Sequence, residues 1–149
     1  MSILAIIMTT ILSWGSLEPS YSAMTEEEFL ASIEFSIDDI ELMARIVMSE
    51  ASTEPYECKQ AVVQSILNRY YSDEYPNTIA EVAKDHFSTN DNGEPTQECY
   101  DAVLWGIIHP NIFPEDLYWF RTDHYHSYGN PYTTIEDTYF STVKDYTVK

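Results

Sequence analysis

The sequence predicts a mostly α, α+β fold in which a helical body precedes a small C-terminal β element. Three observations carry that prediction. Between Ser36 and Pro110, apolar residues recur at helical spacing in four segments, each opened by a Ser, Thr or Pro suited to a helix start. Beyond Pro114 this spacing gives way to two short aromatic and β-branched runs, "LYWF" at 117–120 and "TYFST" at 138–142, which read as strands. The length, 149 residues, suits one domain able to bury a sizeable core.

The first 23 residues stand apart from this body. Ile3 to Leu12 is a short, mostly apolar run, too short to span a bilayer, and Ser20, Tyr21, Ser22 and Ala23 follow it. Residues 1–23 therefore read as a signal peptide or, in the alternative, as a retained N-terminal anchoring helix. Only Met1 and Ser2 precede the run, without the Lys or Arg that orients a signal, and Tyr21 is bulky for a processing site. Residues 24–35 read as an acidic linker, and 36–149 as the folded domain.

Ser36, with Asp39 three residues on, opens the first helix of that domain in the manner of a capping box, and Ile40, Met43, Ala44, Val47 and Ala51 supply its apolar stripe. The second starts near Pro55, a residue favoured at the first helical position, and runs through Cys58, Ala61, Val62, Ser65, Ile66 and Arg69. A short third helix starts near Thr78 with Glu81 as its capping partner. The fourth begins at Thr96 and carries Cys99, Val103 and Ile107 on one face until Pro110 stops it. Between the last two, "STNDNGEPT" is a loop by composition. A Tyr/His loop closed by Gly129, Asn130 and Pro131 separates the two strands, and no internal repeat is present.

Charge excludes whole classes of partner. Seven Lys and Arg against 25 Asp and Glu give a net charge of −18, which repels nucleic acid and anionic lipid and leaves no basic stripe for phosphates. Aromatic residues make up 14% of the chain, twelve of them Tyr, a surplus suited to flat ligands. Cys58 and Cys99 match no metal motif; they are compatible with one disulfide or with two buried thiols on helical core faces.

One carboxylate is out of keeping with its surroundings. In "ARIVMSEA", residues 44–51, Glu50 falls on the helical wheel between Ile46 and Met43, so it leaves the helix at the edge of the buried stripe. A carboxyl group shielded from water keeps its proton more readily, and a general acid that protonates a leaving sugar oxygen needs that state. The plain structural alternative is that Glu50 pairs with Arg69 or caps a neighbouring helix.

The segment "LMARIVMSEASTEPYECKQAVVQSILNRYYSDEYPNTIAEV", residues 42–82, resembles the start of the catalytic domain of the SleB-type cell wall hydrolases, where "LARIVYAEA" is followed by "EPYEGKVAVAAVVLNR" and "FPNTI". "HFS" at 86–88 is similar to the family's "QFS", and "PTQECYDAV" at 95–103 to its "PTEECYEAV". "LYWFRTDHYHSYGNPYTTIEDTYFST" at 117–142 resembles "LYFRTGRYHSFGTPYKQIGNHYFS", with one extra aromatic near its start. The resemblance covers residues 36–142 as an ordered set.

It implies a lysozyme-like fold and cleavage of the peptidoglycan glycan strand between N-acetylmuramic acid and N-acetylglucosamine, as a lytic transglycosylase with Glu50 as the catalytic acid. No cofactor and no metal are implied. A reaction of that kind needs one carboxylate, whereas a two-carboxylate hydrolase needs a second about 5–10 Å away; Asp91 and Asp123 are the loop acids to test for that role. Substrate-binding candidates are Phe87, Ser88, Tyr118, Phe120, Tyr125, His126, Tyr128, Tyr132 and Thr138, whose rings can stack on sugar faces and whose polar groups can hydrogen-bond them. Asn68 and Arg69, in "LNR", either tie the second helix to a loop or touch ligand.

Two departures qualify the carry-over: the family's "IGNH" is "IEDT" here, at Ile135 to Thr138, and its "EARGE" is "EASTE", with Ser52 and Thr53. A glycine's freedom and an imidazole are lost at the first. An inactive wall-binding relative is therefore one alternative reading. A zinc amidase or peptidase acting on stem peptides is another, drawing ligands from Asp123, His124 and His126 with His86 or His109, although no HExxH helix is present. The expected setting is secreted or in the cell envelope, as a monomer, with peptidoglycan as partner and no stable membrane span after processing.

Overall fold

The computed structural model describes residues 3–13, 25–87, 93–110 and 112–146. Helices α1 (Ile3–Ser13), α2 (Glu26–Ser32), α3 (Ile37–Ala51), α4 (Tyr56–Tyr71), α5 (Ile79–His86) and α6 (Gln97–Ile108) precede strands β1 (Leu117–Thr122), β2 (Asn130–Ile135) and β3 (Thr138–Thr142). The predicted class, a helical body with a small C-terminal sheet, is the architecture found.

The capping residues read from the sequence start their helices. Ser36 accepts from the Asp39 amide while the Asp39 carboxylate takes the Ser36 amide, a complete capping box. Thr78 and Thr96 cap α5 and α6 through the Glu81 and Cys99 amides. Pro55 is the N-cap of α4 and not its first helical residue, a shift of one position. The supposed linker at 24–35 contains α2, opened by a capping box of Thr25 and Glu28, whose Phe29 is fully buried. The N-terminal run forms α1, which lies against α6 with Ile7 buried, and Gln97 Nε2 donates to the Ile6 carbonyl at 3.2 Å and to the Thr10 hydroxyl.

Helix α4 is the centre of the body, because nearly every residue from Cys58 to Arg69 is buried. Its polar residues are therefore spent on internal hydrogen bonds. Lys59 reaches Glu98 at 2.9 Å and the Glu54 carbonyl at 2.6 Å, Ser65 bonds the Val62 carbonyl, and Gln64 donates to Asn68 Oδ1 at 2.8 Å. Helix α6 approaches α4 closely at Gly106, where a Cβ would come within 2.6 Å of Val63 Cγ1. Cys58 and Cys99 are both buried free thiols.

The sheet has the order β1-β3-β2, with β3 antiparallel to both neighbours. Strand β2 adds a third strand to the two the sequence predicts, and Asn130 and Pro131 begin it instead of closing a loop. Proline is tolerated there because β2 is an edge strand. Each outer strand carries one extra residue: the register slips between Leu117 and Trp119 and between Pro131 and Thr133, so Tyr118 and Tyr132 are β-bulge residues. Thr138, Phe140 and Thr142, all buried, turn toward the helices. The β2–β3 turn holds Glu136 at φ 50°, in the left-handed region that the family's glycine would occupy freely.

Candidate functional site

The last turn of α3 carries Glu50 to the foot of the sheet. There it lines a cleft of about 290 Å³ together with Phe120, Arg121 and Thr122 of β1 and Thr138 of β3. Glu50 is half-buried, as the edge of an apolar stripe requires. Among the described lining residues it is the one acid and Arg121 the one base. Thr138, at the position of the family's histidine, is buried and hydrogen-bonded to the Cys58 thiol, so its hydroxyl is shared with the body.

Phe120 forms the aromatic wall. Its ring packs on Phe140 at 5.6 Å and stacks on Phe87 at 5.9 Å, which places Phe87 behind the wall. Phe87 in turn covers the Arg69 guanidinium at 4.6 Å, with the Tyr75 ring 5.3 Å away. Arg69 donates from Nε and Nη2 to the Tyr118 carbonyl, at 3.0 and 2.5 Å, and Asn68 Nδ2 donates to the carbonyls of Pro114 and Leu117, at 2.9 and 3.0 Å. The "LNR" segment thus ties α4 to the start of β1. Burial pushes the Arg69 guanidinium below its ordinary value, while Tyr75, Tyr128 and Glu50 act in the opposite sense.

The remaining candidates are dispersed. The chain between β1 and β2 passes across β3, so Tyr125 packs on Tyr139 at 5.0 Å and Tyr128 on Trp119 at 5.3 Å. His126 bonds the Phe120 carbonyl at 3.2 Å and stacks on Tyr128. Tyr132 packs against Tyr146, and Tyr118 against Tyr75 and Trp119. Phe120 and Thr138 are the nominated substrate residues that share the cleft with Glu50. Ser88 and Asp91 lie outside the described residues. Asp123 is exposed in a left-handed turn, its amide bonded to the Asp137 carbonyl, and is not among the cleft-lining residues. Arg121 and Thr122 join the cleft beyond the residues expected from the sequence, although they stand in the "FRT" that the resembling segments share.

A second depression, about 440 Å³, adjoins through the chain neighbours of the site. Thr53, Glu54, Pro55, Glu136 and Asp137 line it, so Thr53 of one departure from the family pattern and Glu136 and Asp137 of the other meet there. Of the proposed zinc donors, His109 stacks on Trp105 at the end of α6, and the His86 side chain is not described. Among the described residues, no three His, Cys, Asp or Glu side chains gather as a ligand set.

Comparison with known proteins places this geometry. The spore cortex-lytic enzyme of Bacillus subtilis is 37% identical over 95 residues, 60% of this chain and 31% of that protein, and the enzyme of Oceanobacillus iheyensis is 37% identical over 60% and 34%. The chain therefore spans about a third of the length of these curated relatives. The crystal structure of the catalytic domain of the Bacillus cereus SleB protein superposes with a TM-score of 0.61 at 25% identity, covering 72% of this chain and 92% of that one. The catalytic domain of the germination-specific lytic transglycosylase SleB from Bacillus anthracis gives 0.64 at 24%, covering 73% and 98%. The expected lysozyme-like α+β fold is the fold of these domains. The family model for cell wall hydrolases matches residues 53–141, more than half of the sequence, and this chain belongs to the cell wall hydrolase family.

Proposed function

We propose that the chain cleaves the glycan strand of peptidoglycan between N-acetylmuramic acid and N-acetylglucosamine as a lytic transglycosylase, with Glu50 as its catalytic residue. The observation that carries this reading is the cleft itself: one half-buried acid, at the end of a helix, facing an aromatic wall and two threonines. The family match begins at residue 53, just after Glu50, so the role of Glu50 rests on its register in "ARIVMSEA" and on this placement. In the reaction, the Glu50 carboxyl group protonates the glycosidic oxygen as the bond to C1 of the muramic sugar breaks. Its carboxylate then takes the proton of that sugar's C6 hydroxyl, whose oxygen closes on C1 as a 1,6-anhydro ring. The proton returns to Glu50, and no water is consumed. Phe120 offers a face for a sugar ring, and Arg121 and Thr122 offer donors to its oxygens.

Replacing Glu50 by Gln keeps its size but removes the transferable proton, so release of anhydro-muropeptides, read by mass spectrometry, should fall about 10²-fold or more with the fold intact. Asp123→Asn should keep most activity, and so should Glu54→Gln and Asp137→Asn in the neighbouring depression. Near wild-type digestion by Glu50→Gln overturns the assignment, and a reducing-end product in place of the anhydro sugar turns it to a two-acid hydrolase. The setting is the cell envelope, reached by export as a monomer with residues 1–23 as leader. Intact-mass analysis of protein from medium or envelope should show loss of about the first 22 or 23 residues; recovery of full-length protein there instead makes α1 a retained part of the fold.

A further inference from the structure

We propose that Trp119, with Tyr128 and Tyr75, forms a sugar-stacking subsite beyond the Glu50 cleft that holds the glycan strand at a ring remote from the bond being cut; this rests on the glycan-strand reading above. The bulge at Tyr118 makes it possible, because it turns Leu117 and Phe120 toward the body and leaves Trp119 and Arg121 on the outer face of β1. Two residues apart on that face, they stand about 7 Å from one another. Phe120 and Thr122 face the Glu50 cleft from the body side of this edge strand, and Arg121, which also borders the cleft, joins it to the Trp119 surface around the strand's edge. Tyr75 hydrogen-bonds the Trp119 side chain from the segment after α4, and the Tyr128 ring meets the indole edge-on at 5.3 Å and 85°. Gly129 lets the crossing chain lie flat, since a Cβ there would come 2.9 Å from the indole and 2.8 Å from Ser141. Tyr128, so held, is still 64% exposed, which burial in a core does not explain. Its ring, the half-buried indole and the stacked imidazole of His126 form an aromatic surface on a chain of net charge −18. The C–H face of an N-acetylglucosamine ring, the uncharged sugar of the strand, fits such a surface.

The test uses glycan oligomers of alternating N-acetylglucosamine and N-acetylmuramic acid, a tetrasaccharide and an octasaccharide, with the full chain. Trp119→Ala should lower the ratio of kcat/KM on the octasaccharide to that on the tetrasaccharide about tenfold, mainly through KM, and Trp119→Phe should recover most of it. Tyr128→Ala, at a position 64% exposed, should lower the ratio in the same direction. Equal losses on both lengths, or an unchanged ratio in both alanine variants, overturn the proposal. Binding of the uncut octasaccharide to Glu50→Gln by calorimetry separates the two readings: a tenfold loss of affinity on adding Trp119→Ala supports the subsite even if the product is not an anhydro sugar. No such loss overturns it whatever the product.

Discussion

Asn68→Ala should destabilise the protein by about 3 kcal/mol, out of proportion to the few atoms removed. Asn68 is 6% exposed and uses every polar atom: Nδ2 serves the Pro114 and Leu117 carbonyls, and Oδ1 accepts from Gln64. The Pro114 carbonyl keeps a second partner, the Leu117 amide at 3.2 Å, so its loss is about 0.5–1 kcal/mol. The Leu117 carbonyl and the buried Gln64 amide each lose a partner with little access to water, at about 1–2 kcal/mol apiece. Alanine's better helix propensity returns about half a kcal/mol. The net effect, on the order of 2–4 kcal/mol, is a large share of a typical domain's stability and corresponds to about 5–12 °C in Tm. Urea unfolding followed by tryptophan fluorescence measures it. Asn68→Asp, equal in size, should be worse than alanine, because it points a carboxylate at two carbonyl oxygens. A cost below about 1 kcal/mol for alanine, or an aspartate variant more stable than it, refutes the view that this side chain fixes β1 on α4.

Glu136→Gly should stabilise the protein by about 0.5–1 kcal/mol, since relief of the left-handed φ of 50° outweighs the entropy that glycine adds to the unfolded chain; thermal melting that shows a loss refutes this. Burial raises the Cys58 thiol to about 11 against an ordinary 9.0. The folded state therefore holds that proton more tightly than the unfolded state: its stabilisation is complete below about pH 9 and is lost as pH rises to about 11. Over that window wild type should lose on the order of 2–3 kcal/mol more than Cys58→Ala in denaturant titrations, and equal slopes would exclude the effect.

The helices were legible because their signals are local. Ser36, Thr78 and Thr96 each sit before an apolar periodic run, and each caps the helix it announces. The same signal was present at Thr25 and Glu28 but was hidden in "TEEEF", where Phe29 is fully buried and the acidic majority reads as solvated chain. The full burial of α4 was also concealed. Gln64, Ser65, Asn68 and Arg69 look like a polar face until their partners are known, and those partners, 46 to 49 residues away for Asn68 and Arg69, come from chain beyond the reach of any helical window.

The aromatic residues show most clearly where local reading stops. Strict alternation in "LYWFRT" would put Leu117, Trp119 and Arg121 on one face, and Tyr118, Phe120 and Thr122 on the other. Leu117 is fully buried, so that pattern would send Trp119 toward the helices and Phe120 outward. The extra residue at Tyr118 breaks the parity. Leu117 and Phe120 then share the body face, which brings Phe120 beside Glu50 and turns Trp119 out to meet Tyr128. One inserted residue thus exchanges the places of two large rings without lengthening the sheet. The resemblance revealed the insertion, but only the pairing with Ser141 and Phe140 shows which ring reaches the acid.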